Sequence, residues 1–194
     1  MAQPRIVSLL PSATEIAVAL GLGESLVGRS HECDYPLFVK ALPVVTSTRL
    51  EKGLTSRQID DRIQEIVRQG LSVYEVDTAL LRDLRPDLIL TQSQCAVCAV
   101  TPADLEEALG DWIGTAPTLL SLAPDTLEDV WSDFAKVAEA AGIPERASSV
   151  VGDLKERMSG LSRSSAERMD RPRVAAIEWI DPLMAAGNWV PELI

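Results

Sequence analysis

Ile6-Val7-Ser8-Leu9-Leu10 is a short run without a charge, and Pro11-Ser12 ends it abruptly. A run of this length and character fits a strand of a parallel sheet, buried on both faces. A helix follows at once. Ser12 reads as its N-cap and Glu15, three residues on, completes a capping-box pattern; Ile16, Ala19 and Leu20 form the buried face, and Gly21 and Gly23 supply the exit. The same unit then repeats. Strands are expected at Ser25–Arg29, Val73–Val76, Asp87–Thr91 and Thr118–Leu122, with a shorter one at Val44-Val45. Between them, Ser56–Gln69 is an amphipathic helix with Ile59, Ile63, Ile66 and Val67 on one face. Asp77 caps a helix that carries Leu80, Leu81 and Leu84 and stops near Pro86, and Thr101 caps another over Pro102–Leu109. Strands alternating with helices predict an α/β fold, a parallel sheet flanked by helices.

The pattern changes after residue 124. Leu127, Val130, Trp131, Phe134, Val137, Ala138 and Ala141 stand at helical spacing in a helix that begins at Asp125, and Gly142-Ile143-Pro144 breaks it. A second helix is expected over Glu145–Met169, on the order of 36 Å long. Its far half is strongly polar, which suits a solvent-exposed rod between two lobes. Arg173–Glu178 then begins a strand with no partner to pair with. A lone strand leaves its backbone groups unsatisfied, so either it docks onto the first lobe or another chain, or the sequence is an incomplete protein, and the second reading is preferred. The expected organisation is an α/β lobe over 1–124, a helical linker with a long backbone helix over 125–171, and the beginning of a second α/β lobe over 172–194.

Acidic residues outnumber basic ones, 29 to 18, for a net charge of −11. That argues against nucleic acid or an anionic membrane surface as partner. Met1-Ala2-Gln3-Pro4-Arg5 leads directly into the first strand, without an apolar leader, and no apolar run approaches the ~20 residues of a membrane helix. The expectation on these grounds is a cytoplasmic protein. Three cysteines do not suggest a disulfide framework.

The chemically distinctive side chains gather where strands end. Pro11-Ser12-Ala13-Thr14 follows the first strand, and free N–H groups at a helix start can hold an oxygen of a ligand; Ser12 can serve as cap, contact or both. His31-Glu32-Cys33-Asp34-Tyr35-Pro36 follows the second strand and contains the only histidine and one of two tyrosines. His31 can ligate a metal or exchange protons near neutrality, and Tyr35 offers a flat apolar face with a polar tip. Gln92-Ser93-Gln94-Cys95-Ala96-Val97-Cys98 follows the strand at Asp87–Thr91. A C-x-x-C can be a redox pair or half of a zinc site, and His31, Cys33, Cys95 and Cys98 are the soft ligands the chain has to offer; buried thiols or thiols lining a pocket are the alternative. Trp179, Asn188 and Trp189 can face a flat ligand or fill a core. With one histidine and no nucleophile-elbow pattern around Ser12, no nucleophile–base constellation emerges. Binding is therefore expected rather than catalysis, with no cofactor required.

Arg5–Glu15, together with Val27-Gly28-Arg29-Ser30-His31-Glu32-Cys33-Asp34-Tyr35-Pro36, resembles the cobalamin-binding proteins of ABC transporters. These belong to the helical-backbone (class III) substrate-binding proteins. Leu84-Arg85-Pro86-Asp87-Leu88-Ile89-Leu90, the long helix near Glu145–Met169 and Arg173–Trp179 extend the likeness over nearly the whole chain. The resemblance implies two α/β lobes joined by a rigid helix, with a corrinoid or related metal chelate held between them and an ABC permease as partner. It implies Pro11, Ser12, Thr14, Tyr35, Trp179 and Asn188 as ligand contacts; chemistry adds His31, Cys33 and Gln92. Thr48-Arg49 stands where relatives carry a tryptophan, and Ala79 where they carry the acidic residue that docks on the permease. The alternative function is a cytoplasmic zinc or redox-active thiol protein using His31, Cys33, Cys95 and Cys98.

Overall fold

A computed structural model of the chain describes residues 3–69, 71–93, 100–103, 105, 112, 114–166, 170 and 172–194. They form two compact units, residues 1–123 and Pro124–Ile194. The first is built on a four-stranded parallel sheet of β1 (Ile6–Ser8), β2 (Leu26–Arg29), β5 (Leu88–Gln92) and β6 (Thr118–Leu122), in the order β2-β1-β5-β6. Between β2 and β5 run β3 (Thr46–Thr48), α2 (Ser56–Arg68), β4 (Tyr74–Val76) and α3 (Thr78–Leu84). The chain passes from β1 through α1 (Pro11–Ala19) to β2 on one side of β1, then returns to place β5 on the other side. The strand order therefore reverses between β1 and β5, and the crevice outside the carboxyl ends at such a reversal is where open α/β sheets hold ligands.

Alternation along β1 explains why both sheet faces are covered. Val7 and Leu9 join Val45, Leu81, Ile89, Val100 and Leu105 in a buried cluster that includes helix α3. Ser8 faces α1 instead, where Thr14 bonds to it. Ile6, Val7, Leu9, Leu88, Ile89 and Leu90 are all fully buried, as a central parallel pair requires. Gly28 is small for a packing reason: a Cβ there would come within 2.7 Å of Leu84 Cδ1 and 3.3 Å of Val7 Cγ2. Arg5, immediately before β1, donates from its guanidinium to the Leu84 carbonyl at 2.7 Å and so closes the end of α3.

Several expectations shift in detail. Leu10, not Ser12, is the N-cap of α1, with no side-chain cap bond. Pro11 occupies the first helical turn, where its fixed φ suits the helix and its missing N–H costs nothing; Ser12 lies inside the helix and exposed. Ser25, expected to open β2, instead closes a short 3-10 turn over Gly23–Ser25, and the strand starts at Leu26. Val44 makes only an isolated bridge to Arg29, and the strand expected at Val44-Val45 lies one step on, at Thr46–Thr48. It pairs antiparallel with β4, Thr46 opposite Val76 and Thr48 opposite Tyr74. Thr55 and Gln58 form a reciprocal capping box on α2, and Asp77 caps α3 by accepting from the Leu80 N–H at 2.9 Å. Much of the helix expected over Pro102–Leu109 lies outside the described residues, as do positions 167–169 at the end expected for the long helix.

The second unit pairs α4 (Leu127–Ala140) with α5 (Glu145–Ala166). The helix expected to begin at Asp125 starts at Leu127, with Thr126 as its N-cap and Asp129 closing a capping box with it. Gly142, at φ +74, ends the helix, and the Ile143 N–H returns to the Ala138 carbonyl at 2.8 Å. Lys155 of α5 reaches Glu128 of α4 at 3.1 Å and lies 5.7 Å above the Trp131 ring. The 22 described residues of α5 span about 33 Å, and Leu161 in its polar half is exposed. The strand expected alone over Arg173–Glu178 is β7 (Ile177–Trp179) and has a partner: the chain turns at Ile180–Leu183 and pairs back as β8 (Met184–Ala185), antiparallel, with Trp179 opposite Met184. No described helix is long and apolar enough to cross a membrane.

Candidate functional site

The carboxyl ends of β1 and β2 carry two linked polar clusters. The inner one is buried. Thr14 Oγ1 lies 2.8 Å from Ser8 Oγ, 3.2 Å from the Leu10 carbonyl and 3.1 Å from Cys33 Sγ. Thr14 and Cys33, both predicted from sequence, are thus brought together, with Ser8 as a third member that the sequence reading missed. Burial pushes the Cys33 thiol above its ordinary range, against the smaller opposing pull of the Thr14 and Ser30 hydrogen bonds and the Arg29 charge. Burial thus favours the protonated thiol over the thiolate, the form a nucleophile needs.

The outer cluster centres on His31. Its backbone N–H donates to Thr46 Oγ1 at 3.0 Å, and its ring Nδ1 stands 2.8 Å from the same oxygen. Thr46, itself buried, donates to Ser30 Oγ at 3.1 Å. The Tyr74 ring lies 5.6 Å from the imidazole, tilted by 50°, and its hydroxyl donates to Glu32 at 3.5 Å. Glu32, Asp34 and Tyr35 are exposed beside this half-buried histidine.

Arg29, the last residue of β2, holds the loop between them. Its guanidinium donates to the carbonyls of Ser30 and Cys33 at 3.0 Å each and of Lys40 at 3.2 Å. The loop that presents His31 to Tyr35 is thereby fastened to the strand that precedes it. Sequence reasoning missed Arg29, although a charged residue closing an otherwise apolar strand is a signal that could have found it. Thr46 and Tyr74 had no such signal, because their proximity depends on the antiparallel pairing of β3 with β4.

Tyr74 yields a solution test. Burial first, then the Glu32 charge, raise its phenol to about 12. Since the unfolded phenol ionises near its ordinary 10, the folded state keeps a proton there that the unfolded state loses. The corresponding stability is intact below about pH 10 and is lost as pH rises toward about 12. Phenolate absorbance should show an ionisation at about 12 that Tyr74→Phe removes; an ordinary titration by that residue would contradict the burial and the Glu32 contact.

The remaining predicted residues are distributed as follows. Pro11 and Ser12 stand on the first turn of α1, and Gln92 ends β5 with its side chain mostly buried. Tyr35 is 62% exposed. Trp179 and Asn188 belong to the second unit: the Trp179 indole donates to the Asp181 carbonyl at 3.0 Å, and Asn188 adopts a left-handed φ of +52. Cys95 and Cys98 lie outside the described residues. Among the described residues no group of three or more His, Cys, Asp or Glu side chains is placed to hold a metal ion.

A parallel sheet whose order reverses beside β1, with polar side chains gathered at the carboxyl ends of β1 and β2, is an arrangement in which open α/β sheets hold ligands. No family model matches the chain. Sequence similarity is nonetheless extensive. The chain is 26% identical over 168 residues to the vitamin B12-binding protein of Photorhabdus laumondii, covering 87% of this chain and 49% of that protein. It is 30% identical over 160 residues to the vitamin B12-binding protein of Yersinia pestis (strain Pestoides F), covering 82% and 45%. The fold matches that of the periplasmic vitamin B12 binding protein BtuF of Vibrio cholerae with a TM-score of 0.65 and 22% identity, over 98% of this chain and 62% of that one. It also matches the periplasmic heme-binding protein RhuT from Roseiflexus sp. RS-1, with a TM-score of 0.61 and 24% identity over 91% and 55%. Over more than four-fifths of its length the chain is thus similar to proteins named for vitamin B12 binding. It spans about half the length of the curated relatives it matches. These relatives are named for what they bind, and none for a reaction. The expectation of a cytoplasmic protein finds no support among them, since the solved ones are described as periplasmic.

Proposed function

We propose that the chain binds a cobalamin-like corrinoid as part of the substrate-binding component of an ABC-type uptake system. The observation that carries this reading is similarity to vitamin B12-binding proteins along more than four-fifths of the chain. The geometry is compatible: Ser12, His31 and Tyr35 stand at the carboxyl edge of the sheet, with Tyr35 and Ser12 exposed and His31 half-buried. Tyr35 supplies an apolar face to a large flat ligand, and the first turn of α1 supplies N–H donors to its amide or phosphate oxygens. Thr14 and Cys33, being buried, support these contacts from below. The corrinoid is cargo, so no resident cofactor is needed, and delivery is to an ABC permease. The similarity to vitamin B12-binding proteins favours this reading over the zinc or thiol alternative.

The test is titration with cyanocobalamin followed by calorimetry. Saturable binding at one corrinoid per chain is the expected result. Saturable binding of haem with none of cyanocobalamin would replace this reading by one nearer the heme-binding proteins that share the fold.

A further inference from the structure

The chemistry of His31 goes further than a polar contact. Thr46 donates its single hydroxyl proton to Ser30 and receives the His31 backbone N–H and the ring at Nδ1. With the hydroxyl proton directed to Ser30, Nδ1 carries the ring proton and the lone pair is left on Nε2. No described residue bonds to Nε2. The ring cannot turn freely to trade the two nitrogens. Backbone and ring are both pinned to one buried oxygen, Tyr74 leans on the ring at 5.6 Å, and Arg29 fastens the loop on either side of His31. An imidazole with one nitrogen donating to a fixed acceptor and the other bare is how proteins prepare a histidine for a metal.

We infer that His31 binds the metal of the cargo directly through Nε2, and that the site thereby prefers a chelate whose axial position can exchange over one whose axial position is blocked. This rests on the corrinoid reading above. With aquocobalamin the step is a ligand exchange. The Nε2 lone pair forms a bond to cobalt, the cobalt–water bond breaks, and the water leaves; cobalt stays in its trivalent state and no electron is transferred. Cyanocobalamin, whose corresponding position is held by cyanide, is bound without that bond. Thr46 is a positioning residue in this scheme, acting through the ring it orients. Thr46 and Tyr74 stand against the ring, and Glu32, which follows His31 and accepts from the Tyr74 hydroxyl, adds a negative charge that favours a cationic metal centre.

The two corrinoids give the experiment. Wild-type protein is expected to bind aquocobalamin with a shift of its visible bands, as an imidazole nitrogen replaces water, and more tightly than cyanocobalamin by about tenfold or more, equivalent to about 1.4 kcal/mol. His31→Ala should abolish the band shift and bring the affinity ratio of the two corrinoids close to one. Thr46→Val should keep the shift but lower the ratio to a value between that of the wild type and one. Aquocobalamin bound by the wild type with unchanged bands would overturn the inference and leave the corrinoid reading standing. Failure of both corrinoids to bind would overturn both.

Discussion

Arg29→Ala is expected to lower stability by about 2–4 kcal/mol and to release the loop that carries His31 and Tyr35. The side chain makes three charge-assisted bonds to the carbonyls of Ser30, Cys33 and Lys40, and bonds of this kind contribute about 1.5–3 kcal/mol each when removed singly. Their sum would exceed the expected loss for two reasons. The carbonyls gain access to water once the side chain is gone, and Arg29 Nε is already buried without a partner, a cost that the truncation removes. Arg29→Lys should recover little, since one ammonium cannot span three carbonyls as a planar fork does. A urea midpoint would give the stability change. Hydrogen exchange at the amides of Cys33 and Val39, which bond within this segment, would show whether the loop loosens. A native midpoint with unchanged exchange would mean that the loop is held by something other than Arg29.

The second large effect is expected deeper in the sheet. Ile89→Ala should cost about 2–5 kcal/mol. Ile89 is fully buried on β5, paired with Val7 on one side and Leu119 on the other, and shares its cluster with Leu9, Val45, Leu81, Val100 and Leu105. The strands on both sides fix its backbone, so the vacated volume cannot close by a local shift. Unlike the Arg29 variant, this one should lower the urea midpoint without changing the relative affinity for two corrinoids, because it alters no group at the carboxyl edge. A loss below about 1 kcal/mol would indicate a pliable core at odds with this packing.

These contrasting variants also separate what could be read from sequence and what could not. The apolar runs of β1, β5 and β6 were legible because strands buried on both faces tolerate little else, and the α/β alternation around them fixed the fold class. The buried meeting of Thr14 with Cys33 was half legible, as two polar residues expected at adjacent strand ends. Leu10 as the cap of α1 was not, since Ser12 and Glu15 satisfy the capping pattern equally well in one dimension and Pro11 decides the matter through its backbone. The pair β3–β4 was harder still. Its strands are three residues each and separated by a long connection, so period-2 patterning has too few positions to declare itself. That pairing brings Thr46 and Tyr74 to His31, which is why the surroundings of the histidine could not be foreseen although the histidine itself was.

The connection between β3 and β4 has a consequence for how such a protein can change over time. Among the described residues from 49 to 73, only Ile66 and Val73 are buried, although the strands at either end deliver the two side chains that orient His31. Drift, insertion or loss in this excursion would therefore be nearly invisible to the packed interior, while any slip of the flanking strands would be felt at the imidazole at once. Lineages could remodel the excursion's length and charge freely and still inherit the same geometry around His31.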